Sequence, residues 1–171
     1  TLSCTGKATI TNMGAELGAT TSIFPYDEAM ARYLRATNRP GLAEVADEYA
    51  DMLRADDEVE ADPASYFDRI LEIDLSTLEP HIVGPHSPDR ARPISQMAAE
   101  VADADNNFID DISSALIGSC TNSSYEDMSR SADVAEQAAA HGLTAKVPFM
   151  VTPGSEQVRA TIERDGQIGS L

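Results

Sequence analysis

Of the two cysteines in this 171-residue chain, Cys120 stands in IGSCTNSSYEDM, where an apolar approach and a glycine give way to hydroxyls and acids. Ser123 and Glu126 have the spacing of a capping box, which predicts a helix beginning just after the cysteine. A thiol at that point has its thiolate favoured by the positive end of the helix macrodipole, and Thr121, Asn122 and Ser123 add hydrogen-bond donors. Three roles fit those residues: nucleophile, metal ligand, or small packed residue filling a tight turn. No CxxC partner accompanies Cys120, so spacing does not choose among them. A second constellation is Asn12 and Glu16 in NMGAE, four residues apart, which on a helix share one face. Alone, such an amide and carboxylate are most often solvated surface.

The elements that must position these groups follow from periodicity and punctuation. Residues 6–18, rich in small side chains with Ile10, Met13 and Leu17 at helical spacing, predict one short helix carrying Asn12 and Glu16. TTSIFPYD reads as extended, and Asp27 is placed to cap a helix over DEAMARYLRAT. After Arg39-Pro40-Gly41 a second amphipathic helix is predicted with Leu42, Val45, Ala46, Tyr49 and Leu53 on its packed face. Alternation through Ile70, Leu71, Ile73 and Leu75 predicts a strand, and HIVGPHSPDRARP reads as a connection after it. The second half is clearer: a helix over ISQMAAEVADA, a strand ISSALIG, the cysteine turn, and a long helix stopped by Gly142. A strand AKVPFMV, a TPG turn and a helix stopped by Gly166 complete it. This β-α-β-α order favours a parallel sheet with right-handed crossovers, whose ligands gather at the carboxyl ends of the strands. Cys120 lies at one such end and Pro153-Gly154 at the next.

Charge narrows the partners. The chain carries 29 acidic against 12 basic residues, a net charge of −17, and such a surface repels phosphate backbones and anionic headgroups. Nucleic acid and membrane are therefore not expected partners, and no stretch approaches the ~18 apolar residues of a membrane span. Acidic runs such as LAEVADEYADMLRADDEVEAD read as solvated helix faces, and an acid-rich or halophilic source would also account for them. Two distant cysteines argue against a disulfide-stapled secreted module and favour a reducing compartment.

IGSCTNSSYEDM, SCTGKATITNMGAELGATTSIFPYD and TPGSEQVRATIERDG together resemble the aconitase family, in particular its mitochondrial-type branch, also found in bacteria. The resemblance runs over essentially the whole chain and is looser at 55–66 and 97–111. It implies an α/β fold: a parallel-sheet βαβα lobe preceded by part of a second α/β lobe, excised from a larger multi-domain enzyme. Residues 1–80 would be the C-terminal part of the second lobe. Residues 81–171 would begin the third lobe and carry a cluster cysteine. The implied parent is a hydro-lyase interconverting citrate and isocitrate through cis-aconitate in the tricarboxylic acid cycle, by iron-sulfur Lewis-acid dehydration and rehydration.

By that resemblance Cys120 is one of three ligands of a [4Fe-4S] cluster, and Asn12 and Glu16 bind the substrate hydroxyl or iron-bound water and take part in catalysis. The other two ligands belong to a C-x-x-C motif expected beyond Leu171, so the cluster is expected to be absent from this chain alone and the chain inactive. Cys4 is expected to be a packed structural thiol. The family's catalytic histidines, its serine base and its substrate-binding arginines lie in sequence outside the chain. His81, His86, His141, Arg159 and Arg164 are accordingly expected on surfaces or at helix ends. Expected partners are a small tricarboxylic acid and the remaining domains of the same chain. The compartment would be cytoplasmic in a bacterium and the mitochondrial matrix in a eukaryote. An isopropylmalate dehydratase or homoaconitase relative, and a folded fragment without activity, are the alternatives.

Overall fold

A computed structural model describes residues 2–106, 108 and 111–171. In chain order the helices and strands are α1 (Cys4–Asn12), α2 (Glu28–Ala36), α3 (Pro40–Glu48), α4 (Asp57–Ala61), β1 (His81–Val83), β2 (Ala91–Pro93) and α5 (Ile94–Ala102). There follow β3 (Ala115–Gly118), α6 (Tyr125–Ala140), β4 (Phe149–Thr152), α7 (Glu156–Arg164) and α8 (Gln167–Ser170). The α/β class read from the sequence is found, with a small parallel sheet. Among the described residues, no helix is long and apolar enough to cross a membrane. The loosely related stretch 97–111 includes positions 107, 109 and 110, which lie outside the described residues.

Two compact units form, one from residues 1–61 with 114–171, the other from 62–113. In the larger unit, β3 and β4 pair in parallel, with Ala115 opposite Phe149 and Gly118 opposite Thr152. The connecting α6 packs on α7 and α8, with Met128 and Ile162 fully buried. At roughly 1.5–3 kcal/mol per buried side chain, these two are the main apolar anchors of the lobe.

The N-terminal helices belong to the same unit. Asp27 caps α2, its carboxylate accepting from the Met30 amide at 3.1 Å, as its position predicts. Its other oxygen pairs with the buried ammonium of Lys7, which ties α1 to α2. The packed face expected on α3 is corrected: Leu42, Val45, Tyr49 and Leu53 are exposed, whereas Ala43 is fully buried. The reason lies one turn along, where Asp47 receives Tyr26 Oη at 2.8 Å and pairs with Arg35 of α2. A small residue with an acceptor four positions later lets α3 approach α2 closely and turns its large side chains outward.

The smaller unit corrects two further expectations. Ile70, Leu71, Ile73 and Leu75 lie in unpaired, exposed backbone instead of a strand. Alternation prepares two faces, but a strand also requires a hydrogen-bonding partner. The expected connection is itself structured: β1 and β2 form an antiparallel pair with Ile82 opposite Arg92. Buried Arg92 braces this pair, bonding the carbonyls of Gly84 and Arg90 and reaching Glu100 of α5 at 2.7 Å.

Candidate functional site

The turn between β3 and α6 is built on short-range hydrogen bonds. The Ser119 amide donates to Ser123 Oγ at 2.5 Å, and the Asn122 amide donates to Ser119 Oγ at 2.9 Å. Between these ties Cys120 is exposed, its Sγ 3.6 Å from Thr121 Oγ1. The predicted capping box is present but one residue later. Ser124 caps α6, the Asp127 amide donating to its Oγ at 3.3 Å and the Ser124 amide donating to Asp127 Oδ2 at 3.1 Å. Ser123 is unavailable for capping because it is fully buried and occupied by Ser119.

Glu126 is engaged elsewhere. Thr5 of α1 donates its hydroxyl to Glu126 Oε2 at 2.6 Å, and Arg130 donates to Oε1 at 2.7 Å. The Thr5 and Ser3 hydroxyls hold this carboxyl below its ordinary pKa, with Arg130 adding to the same direction. One helical turn along α1, Thr9 donates to Asn122 Oδ1 at 2.6 Å. Thr5 and Thr9 thus seat one face of α1 on the cysteine turn and the first turn of α6.

That seat bears on Asn12 and Glu16. Asn12 stands three positions beyond Thr9 and seven beyond Thr5, on the stripe that meets the cysteine turn, and it is the last residue of α1. The single helix expected over 6–18 is corrected. α1 stops at Asn12, Gly14 is buried, and Glu16 sits in a separate 3-10 turn over Ala15–Leu17. The same-face relation inferred from a continuous helix is therefore lost, and both side chains are exposed.

The next strand-to-helix turn closes under the first. The Gly154 amide donates to the Ser123 carbonyl at 3.0 Å, and Ser155 caps α7, accepting from the Val158 amide at 3.1 Å. A cavity of about 290 Å³ is lined by Cys120 with Thr5, Ser123, Ser124, Gly154 and Ser155. Both helix N-termini and the thiol therefore open on one space, at the carboxyl ends of the paired strands.

The remaining candidates lie apart. Cys4 is half-buried, and burial pushes its thiol pKa up against the opposing pull of Lys7. It lines a neighbouring cavity of about 860 Å³, together with Tyr33 and Glu126. His81 Nδ1 lies 2.8 Å from the Glu79 carbonyl and His141 Nδ1 2.8 Å from the Gln137 carbonyl, the latter at the end of α6. Arg159 pairs with Glu156 and Glu163 along α7, and Arg164 pairs with Asp165. Among the described residues, no three His, Cys, Asp or Glu side chains form a group able to hold a metal ion. The donor set offered at this turn is one thiol, which does not fit an iron-sulfur cubane by itself, since such clusters are held by several cysteines.

An exposed thiol thus stands at the strand-to-helix turn of a small parallel sheet, in a chain of the α/β class. The whole chain, residues 1–171, matches the Aconitase family (aconitate hydratase), and it belongs to that family. It is 58% identical over 169 residues to the mitochondrial aconitate hydratase of Saccharomyces cerevisiae, covering 98% of this chain and 21% of that protein. Identity to the mitochondrial aconitate hydratase of Schizosaccharomyces pombe is 53% over 170 residues, 99% of this chain and 20% of the relative. The mitochondrial homocitrate dehydratase of Saccharomyces cerevisiae is 56% identical over 168 residues, 98% of this chain and 21% of the relative. The chain thus spans about a fifth of the length of these curated relatives.

Proposed function

We propose that this chain is part of an aconitate hydratase, a hydro-lyase of the tricarboxylic acid cycle that interconverts citrate and isocitrate through cis-aconitate. Cys120 serves as one of three cysteine ligands of a [4Fe-4S] cluster completed by other parts of the parent protein. When bound, the cluster supplies a Lewis acid at the substrate hydroxyl. Asn12 donates its side-chain amide to that hydroxyl, and the Glu16 carboxyl passes its proton to the hydroxyl, which leaves as water while Glu16 becomes a carboxylate. One thiolate does not retain such a cluster, so the chain alone is inactive.

The observation that carries this reading is the pair of hydrogen bonds seating α1, with Asn12 at its end, on the turn that exposes Cys120. Large exposed apolar side chains support a role for further domains, as at Leu17 (87% exposed) and Leu71 (86%). In that parent, residues 1–80 form the C-terminal part of a second lobe and residues 81–171 the N-terminal part of a third. The compartment is the mitochondrial matrix in a eukaryote, in keeping with the names of the relatives, or the cytoplasm in a bacterium.

A second reading, a homocitrate-type substrate, is favoured by the comparable identity to homocitrate dehydratase. Parallel turnover assays on the full-length protein, with cis-aconitate and its one-carbon-longer homologue, separate the two. In that protein Cys120→Ser should lose iron, the broad visible absorption and hydration activity while its far-UV spectrum is kept, because serine oxygen is a poor substitute for thiolate at such centres. Glu16→Gln should lose turnover and keep iron. Full iron content in Cys120→Ser would refute the assignment of the cysteine.

A further inference from the structure

The second strand-to-helix turn does more than start α7. An ideal Cβ placed on Gly154 would stand 2.9 Å from the Cys120 carbonyl oxygen and 2.9 Å from the Ser123 carbonyl oxygen. Both are backbone atoms, so no flexible side-chain end can give way. Ser123 is fully buried and tied to Ser119 within the cysteine turn, so both carbonyls shift with the turn as a unit. At the start of the same turn, a Cβ on Gly118 would meet Thr152 O at 2.6 Å and Thr152 Cβ at 2.7 Å. The cysteine turn is thus pressed at both ends against residues 152–154, and the Gly154 amide bonds it there.

We propose that Gly154 is a positioning residue for Cys120: its bare Cα and its amide set the height at which the turn presents the thiol. The Cys120 carbonyl carbon and Cβ are both bonded to one Cα, so a shift of the turn's backbone moves the sulfur with the carbonyl. To regain ordinary contact with an added methyl, the carbonyls must retreat by about half an ångström. This inference rests on the reading of Cys120 as the working thiol of the turn, but its primary test does not depend on the reaction.

The test is Gly154→Ala in the full-length protein, with alkylation of Cys120 and Cys4 followed by peptide mass spectrometry on the cluster-free form. Pushing the turn outward should raise the Cys120 rate relative to Cys4 by roughly threefold or more, since thiol reactivity follows exposure and local field. In the cluster-loaded protein the variant should lose on the order of tenfold or more in kcat with little change in KM, as expected for a misplaced reacting group. Gly41→Ala, where an added Cβ meets nothing within 4 Å, is the control and should change neither.

Should Gly154→Ala fail to fold, Ser123→Ala loosens the turn without adding bulk, by removing the oxygen that receives the Ser119 amide, and should raise the same ratio. An unchanged ratio in a folded Gly154→Ala protein, or in Ser123→Ala when Gly154→Ala does not fold, would overturn the proposal. A raised ratio in a protein whose wild-type form hydrates neither substrate would uphold it and remove the proposed function instead.

Discussion

Replacing Ser124 by alanine tests whether the start of α6 is fixed by its cap. The change removes an oxygen that accepts the Asp127 amide at 3.3 Å and donates to Asp127 Oδ2 at 2.8 Å. It leaves the reciprocal bond from the Ser124 amide to that carboxylate, at 3.1 Å, in place. Loss of an N-cap hydroxyl costs about 1 kcal/mol. The bond to an ionised acceptor moves the expectation toward ~2 kcal/mol, restrained by the partial exposure of the site. Urea unfolding followed by far-UV circular dichroism should show a lower midpoint at constant slope, by roughly half to one molar for a slope of about 2 kcal/mol/M. Ser124→Thr, which keeps the acceptor, should recover most of the loss. If Ser124→Ala stays within about 0.3 kcal/mol of the wild type, the cap contributes nothing measurable. The one-residue shift from Ser123 would then have no energetic basis.

Acid should weaken the joint between α1 and its neighbours. The Lys7 ammonium holds the Asp27 carboxyl below its ordinary value, and the Thr5 hydroxyl does the same at Glu126. Their contributions are present above the unfolded values near pH 4 and disappear as pH falls through the lower folded values. Asp27→Asn should therefore flatten the fall in urea midpoint below about pH 4, and an unchanged pH profile would contradict the assignment. In the wild-type chain, Cys120 should alkylate faster than Cys4, because one thiol is exposed and the other is half-buried with its pKa raised by burial. Equal rates in a peptide-resolved time course would refute that ordering.

The second half of the chain was legible because its signals are local. Apolar runs at β3 and β4, the serine before α7 and the glycines after α6 and α7 each act within a few residues, and the parallel pairing follows from their order. What failed depended on partners distant in sequence. α3 was read from its large side chains, but Asp47 and Ala43 face α2 because Tyr26 and Arg35 meet Asp47 there. The β1–β2 pair escaped notice because each strand has only three residues and the segment between them is rich in proline and glycine. At the site, Cys120 and its helix were readable, yet Glu126 was assigned to a cap it does not make, since nothing near it in sequence announces Thr5. The polar stripe Thr5, Thr9, Asn12 was visible at helical spacing and is the signal that could have joined the two constellations.

That stripe explains why a polar joint suits this position. Thr5 and Thr9 meet Glu126 and Asn122 across sequence separations of 121 and 113 residues, so the contact is tertiary and fixes α1 against the cysteine turn in both rotation and height. Apolar packing of the same area would hold α1 in place while tolerating small slides, because burial is non-directional. Hydrogen bonds of 2.6 Å tolerate much less, and sliding α1 would strand the Glu126 carboxylate without its hydroxyl donor. Asn12, at the end of the same helix, inherits that register. Gly154 presses the cysteine turn from the opposite side, through the carbonyls of Cys120 and Ser123. The thiol is therefore exposed without being loose: its surroundings are fixed by α1 on one flank and the second turn on the other.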